Sequence, residues 1–133
     1  MSKIIISGRR KTAVARAKIS EGSGKISINK KDYKTLHFLD QLKIEEPLRI
    51  AKKILGSINF DVVISAEGGG EKGQIEASRL ALARAIVAFT KNKELEKEYV
   101  NYDRSLLVAD VRRKEKNKPG DSKARRKRQK SFR

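Results

Sequence analysis

Apolar positions along the chain follow first a period of two and later a period near four. In residues 13–20, Ala13, Ala15, Ala17 and Ile19 alternate with Val14, Arg16, Lys18 and Ser20. This is the spacing of a strand with one inward face, and it puts Arg16 and Lys18 together on the other face. Glu21-Gly22-Ser23-Gly24 is turn chemistry, and residues 25–29 alternate again with Ile26 and Ile28 on one side. Together these segments predict a β-hairpin. Residues 32–36 suit a single helical turn. A clearer helix starts at Pro47, whose missing N–H would have no partner in a first turn. Leu48, Ala51, Ile54 and Leu55 carry it at helical spacing, and Gly56 closes it. Glu45-Glu46 then stands at a helix start, where carboxylates favour the dipole. Residues 60–66 are apolar and β-branched, as in a buried strand. The strongest helical pattern covers 74–90, with Ile75, Leu82, Ile86 and Phe89 on one face and Leu80, Ala83 and Val87 widening the stripe. A helix apolar over so much of its girth packs on a sheet. A shorter, polar helix is predicted over 93–99.

After Leu106-Leu107-Val108 the pattern stops. Residues 111–133 hold twelve cations against two acids, Glu115 and Asp121, and almost no apolar side chains. Such a segment buries too little surface to fold alone, and disorder in the free protein is expected. The whole chain carries a net charge of +17 over 133 residues, so more than half of the charge sits in this tail. A field of that size calls for a polyanionic partner. An RNA-binding extension is the sharp reading, with arginines forking onto phosphates; a solvated tail, a localisation signal and a membrane-surface segment are the rivals. Gly8-Arg9-Arg10-Lys11-Thr12 is a second basic cluster, in which a glycine would let backbone approach phosphate, or else an ordinary solvated loop. Aromatics are only 5%, too few for an interface built on stacked bases. The length suits one domain with appendages. The chain contains no cysteine, which excludes disulfides and thiolate metal sites and suits a reducing compartment. No apolar run reaches the roughly 18 residues of a membrane span, and the N-terminus lacks a secretion signal.

Gly68-Gly69-Gly70-Glu71-Lys72-Gly73 has the glycine spacing of a phosphate-binding loop, but Gln74 and Ile75 stand where lysine and a hydroxyl are needed. A tight strand-to-helix crossing is the better reading, with positive φ expected at Gly69 and Gly70 and exposed amides that could meet an RNA phosphate. His37 is the only histidine, so a packing or surface role outweighs catalysis. Glu67 and Glu71 read as solvated. No residue set demands a metal or a cofactor.

The run from Gly68 through Gln74 to Ile86, with Glu76-Ala77-Ser78-Arg79-Leu80 and Arg84 inside it, closely resembles the defining motif of the universal small-subunit ribosomal protein S nine family. Gly8-Arg9-Arg10-Lys11-Thr12-Ala13, the stretch Ser122-Lys123-Ala124-Arg125-Arg126 and the ending Lys130-Ser131-Phe132-Arg133 resemble it too, so the likeness spans essentially the whole chain. Residues 102–110 and the Ser-Phe-Arg end are similar to the archaeal and eukaryotic branch; the bacterial form ends in Ser-Lys-Arg. The resemblance implies a small sheet with two helices packed on it, a left-handed β-α-β crossover, and a place in the head of the small subunit. It also implies that the tail follows rRNA and ends at the anticodon stem-loop of peptidyl-site tRNA.

The expectation is therefore an α+β protein with a small mixed sheet and two packed helices, a compact body over residues 1–110 and an extended basic tail over 111–133. Its function would be structural, binding small-subunit rRNA, with neighbouring ribosomal proteins and peptidyl-site tRNA as further partners, in the cytoplasm and at no membrane. The candidate rRNA contacts are Arg9, Arg10, Lys11, Arg16, Lys18 and Lys72 in the body, and Arg112, Arg113, Lys123, Arg125, Arg126, Lys127 and Arg128 toward the end. Lys130 and Arg133 are the tRNA contacts implied by the resemblance. A small-molecule kinase and a chromatin-like DNA binder are the competing classes; the first needs catalytic carboxylates and no tail, and the second differs by indifference to the 2′-OH.

Overall fold

A computed structural model describes residues 3–109 together with 111 and 112. The expected disorder of the tail, and the candidates Arg113, Lys123, Arg125, Arg126, Lys127, Arg128, Lys130 and Arg133, lie outside the described residues. The elements are β1 (Ile4–Arg10), β2 (Ala13–Glu21), β3 (Ile26–Ile28), β4 (Lys31–Asp32), α1 (Phe38–Leu55), β5 (Phe60–Glu67), α2 (Glu71–Thr90) and α3 (Lys93–Tyr102). Short 3₁₀ turns, Tyr33–Thr35 and Arg104–Leu106, follow β4 and α3. The expected α+β class with a mixed sheet holds. Its strand order is β1-β2-β5-β3-β4, and only β3 and β5 run parallel. A parallel pair needs a long crossover, and the segment carrying α1 supplies it.

The hairpin expected from residues 13–29 does not form, because β5 lies between β2 and β3. The turn that should have closed the hairpin instead wraps the start of β5. The Asp61 carboxylate Oδ1 accepts from the amides of Ser23, Gly24 and Lys25 at 3.0, 3.0 and 2.9 Å. Gly22 N–H donates to Asn59 O, and Val62 N–H to Lys25 O at 2.9 Å. Local turn chemistry was read correctly, but a carboxylate from far along the chain decides what the turn joins.

Two further boundaries differ. β1 is a full strand in which Ile4 and Ile6 point toward the helices and Ile5 is 64% exposed; three consecutive isoleucines hide that alternation. α1 begins at Phe38, well before Pro47, and His37 caps it by accepting from Leu39 N–H through Nδ1. Glu45 and Glu46 are thus mid-helix, where Glu45 pairs with Arg49 and Glu46 with Arg79. Pro47 costs an interior helical hydrogen bond. It is nevertheless buried, and its carbonyl accepts from the Tyr99 hydroxyl at 2.7 Å. Burial holds the Tyr99 phenol protonated far above its usual range.

The core lies on one side of the sheet. Ala13, Ala15, Ala17 and Ile19 of β2 and Phe60, Val62, Ile64 and Ala66 of β5 face it. β5 is therefore buried on one face only, with Val63 53% exposed on the other. Against this inner face lies α2, with Ala77, Ala81 and Ala85 fully buried. The approach is so close that a Cβ on Gly8 would stand 2.5 Å from Ala77 O and 2.6 Å from Ala81 N. Gly8 makes room for a helix backbone, not for a phosphate.

Candidate nucleic-acid interface

Among the described residues no helix covers the other face of the sheet, and strand register orders its side chains into rows. One row reads Ser7–Arg16–Ser65 across β1, β2 and β5. The next reads Ile5–Lys18–Val63 and continues to Ser27 of β3, and a third reads Arg9–Val14–Glu67. The period of two in β2 thus does what the sequence implied: Arg16 and Lys18 share the outer face. Arg9, Arg16 and Lys18 are exposed, and none forms an ion pair among the described residues. Lys11 stands in the exposed turn between β1 and β2 in the left-handed region, φ 55.

Acids on this side are largely committed elsewhere. Asp61 is held below the usual carboxylate range, first by the Lys25 N–H and then by those of Gly24 and Ser23. Asp32 accepts from Lys34 N–H and caps the first 3₁₀ turn. Glu67, at the edge of the third row, remains exposed. The result is a surface with a positive centre made by Arg16 and Lys18.

The glycine-rich crossing lies at one end of the sheet. Gly68 and Gly69 have φ of 77° and 62°, and a Cβ on Gly68 would stand 2.6 Å from Thr12 O. Gly70 is the extended N-cap of α2, with open space around it, so the expected positive φ falls at Gly68 and Gly69 and not at Gly70. Gln74 ties the loop down, its Nε2 donating to Gly68 O at 3.1 Å and its backbone N–H to Gly70 O at 3.0 Å. A glutamine at this point is a structural staple where a nucleotide site would need lysine. Lys72 Nζ donates to Asp40 Oδ1 at 2.9 Å, joining the first turns of α2 and α1. That hydrogen bond raises the Lys72 pKa, and it compensates a carboxylate that is only 1% exposed.

Several cations on the helix side are likewise held by the protein. Arg10 Nε lies 2.6 Å from Glu76 Oε2, with Lys43 at 3.8 Å from the other oxygen. Arg79 of α2 bridges Glu46 of α1 at 2.5 Å and Asp103 after α3 at 3.4 Å. The Ser105 N–H and the nearby Arg79 keep Asp103 ionised below its usual range. Arg84 Nε donates to Leu107 O at 2.8 Å, and its Nη1 to Ser7 O at 3.2 Å. A cleft of about 340 Å³ opens among Arg10, Lys43, Glu76, Arg79 and Asp103, and Arg9 and Arg112 also line it. Of the body candidates, then, Arg9, Arg16 and Lys18 share the outer sheet face and Lys11 its adjoining turn, whereas Arg10 and Lys72 point to carboxylates. Sequence reading missed Ser7, Ile5, Val63 and Ser65 as members of that face. The first two were hidden by the unrecognised strand, and the last two by reading residues 60–66 simply as a buried strand.

Among the described residues no cluster of His, Cys, Asp or Glu could hold a metal ion, and no helix is long and apolar enough to cross a membrane. Fold and surface together define a basic α+β body with a cation-bearing sheet face that no helix covers among the described residues. The chain belongs to the family described as Ribosomal protein S9/S16, whose model matches residues 8–133. It is similar to the small ribosomal subunit protein uS9 of Methanococcus vannielii, 47% identical over 129 residues and 95% of each chain. The uS9 of Thermoplasma volcanium is 46% identical over 135 residues and the whole of both chains. These relatives are archaeal, in keeping with the Ser-Phe-Arg branch assignment.

Proposed function

We propose that this protein is a structural constituent of the small ribosomal subunit, anchored to rRNA by its outer sheet face and its basic tail. In this reading the tip of the tail touches tRNA in the peptidyl site. The observation that carries it is the division of the body's cations. Arg10, Arg79 and Arg84 are matched by carboxylates or carbonyls, whereas Arg16 and Lys18 are exposed on the outer sheet face and form no ion pair among the described residues. Unmatched cations on one face repel each other, and a polyanion relieves that repulsion. Twelve further cations in residues 111–133 extend the same chemistry. Nothing in the glycine-rich crossing favours catalysis, since Gln74 holds the loop where a lysine would bind phosphate.

The test uses subunits reconstituted with full-length protein or with protein lacking residues 129–133. With about six phosphates contacted, the log–log salt slope of rRNA binding is expected near −4, taking roughly −0.7 per contact. The truncation should leave incorporation and that slope nearly intact, while weakening peptidyl-site tRNA by about 1–2 kcal/mol, the scale of one charge-assisted hydrogen bond. Equal tRNA affinity for both subunits would remove the tip from the tRNA site. Failure of the full-length protein to bind rRNA in a salt-dependent way would remove the reading as a whole.

A further inference from the structure

The rows on the outer sheet face have a chemistry more specific than positive charge. A sheet that reads single-stranded nucleic acid does so with aromatic side chains on which bases stack. Among the described residues none stands on this face. Phe60 of β5 points into the core and meets Phe89 edge-on at 6.1 Å, while the exposed Phe38 and Tyr102 belong to α1 and α3. What the face offers instead is an Arg16 guanidinium between two hydroxyls, Ser7 and Ser65, each on a neighbouring strand. In the adjacent row Lys18 lies between the exposed side chains of Ile5 and Val63, which can cover its methylene stem and leave the ammonium outward.

We infer that this face docks in the shallow minor groove of a double-helical segment of the bound RNA and reads its backbone and 2′-hydroxyls, not its bases. The inference rests on the reading of this face as an RNA contact. Three features fit that surface and no other part of a nucleic acid so well. Serine hydroxyls both donate and accept, as the 2′-OH does, so Ser7 and Ser65 can pair with it in either sense. Arg16 and Lys18, two residues apart on β2 and so about 6.6 Å apart along the strand, reach phosphates at the groove edge. Ile5 and Val63 meet the apolar rims of the riboses. A-form RNA exposes these groups across a wide minor groove, whereas its major groove is too deep and narrow to admit a sheet.

The test titrates full-length protein against three probes of one sequence: an RNA duplex, the same duplex as DNA, and the single RNA strand. Salt is held high enough to mute sequence-independent binding by the tail. Arg16→Gln with Lys18→Gln should weaken binding to the RNA duplex by roughly 10- to 100-fold, the scale of one or two charge-assisted hydrogen bonds, and affect the other probes far less. Ser7→Ala with Ser65→Ala should cost about fivefold on the RNA duplex and nothing on DNA. All four positions are outside the core, and unchanged urea midpoints will show that the fold is intact. Equal losses on all three probes would overturn the duplex assignment while leaving the face as an RNA contact. No loss on any probe would overturn both. Unchanged RNA binding with failed incorporation of the variants into subunits would show a protein neighbour covering the face.

Discussion

Arg10 and Arg9 are adjacent in sequence and on opposite sides of one strand, and their fates differ. Arg10 turns toward α2 and lies 2.6 Å from Glu76, 66 residues away; Arg9, which borders the same cleft, is exposed and forms no ion pair among the described residues. The contrast extends across the sheet. On the helix side Arg79 and Arg84 hold α1, α2 and the segment after α3 together. On the outer side Arg16 and Lys18 form no ion pair among the described residues. A cation's role here is set by whether the fold brings an acceptor to it. Charge that meets an acceptor is structural, and exposed charge that meets none is available to a partner.

The largest expected effect comes from the residue that lets α2 approach β1. Gly8→Val should destabilise the protein by roughly 2–4 kcal/mol through overpacking against a helix backbone that cannot yield, read as a lowered urea midpoint. A variant of normal stability but poor RNA affinity would mean that Gly8 serves phosphate after all and would move the first turn of the motif to the outer side of the comparison.

Arg79→Leu tests the inner side more gently. It leaves Glu46 and Asp103, both partly exposed, without their shared cation. A loss of about 1–2 kcal/mol is expected, above that of an exposed pair and below that of a fully buried one. The salt slope of RNA binding should not move, because no phosphate contact is lost. Unchanged stability with a shallower slope would break the division between the two sides.

These pairings explain what the sequence could and could not reveal. Periodicity disclosed β2, β5, α2 and α3, and it put Arg16 and Lys18 on one face, because local alternation is enough for that. It did not disclose that β5 enters between β2 and β3, since that depends on Asp61 reaching the amides of residues 23–25 from 36 to 38 positions away. Nor could it separate Lys72 from Lys18. Both are lysines in basic surroundings, and only the packing of α1 on α2 brings Asp40 to the first. The start of α1 was missed because Pro47 is a strong signal for a first turn, and the buried Tyr99 hydroxyl that meets its carbonyl lies 52 residues on.

The smallest effect concerns Asp61, the acid at the edge of the outer face. Its folded pKa lies below the unfolded value because the charged form accepts three backbone N–H groups. A depressed carboxyl contributes stability that is present above the unfolded pKa of about 3.9. That contribution is lost as pH falls through the lower folded value. Asp61→Asn removes the titration but keeps an oxygen that can accept, so the variant should be slightly less stable near neutrality. Below that folded value the two proteins should converge, because both then present a neutral acceptor. Asp103 is depressed in the same direction, but it is common to both proteins and cancels in the difference. The measurement is the urea midpoint of each protein from neutral to acid pH. Parallel curves throughout would mean that the amides of residues 23–25 do not hold this carboxylate in solution. The turn separating β2 from β3 would then depend on the Gly22–Asn59 and Val62–Lys25 backbone bonds, and Asp61 would count as free negative charge on the face assigned to RNA.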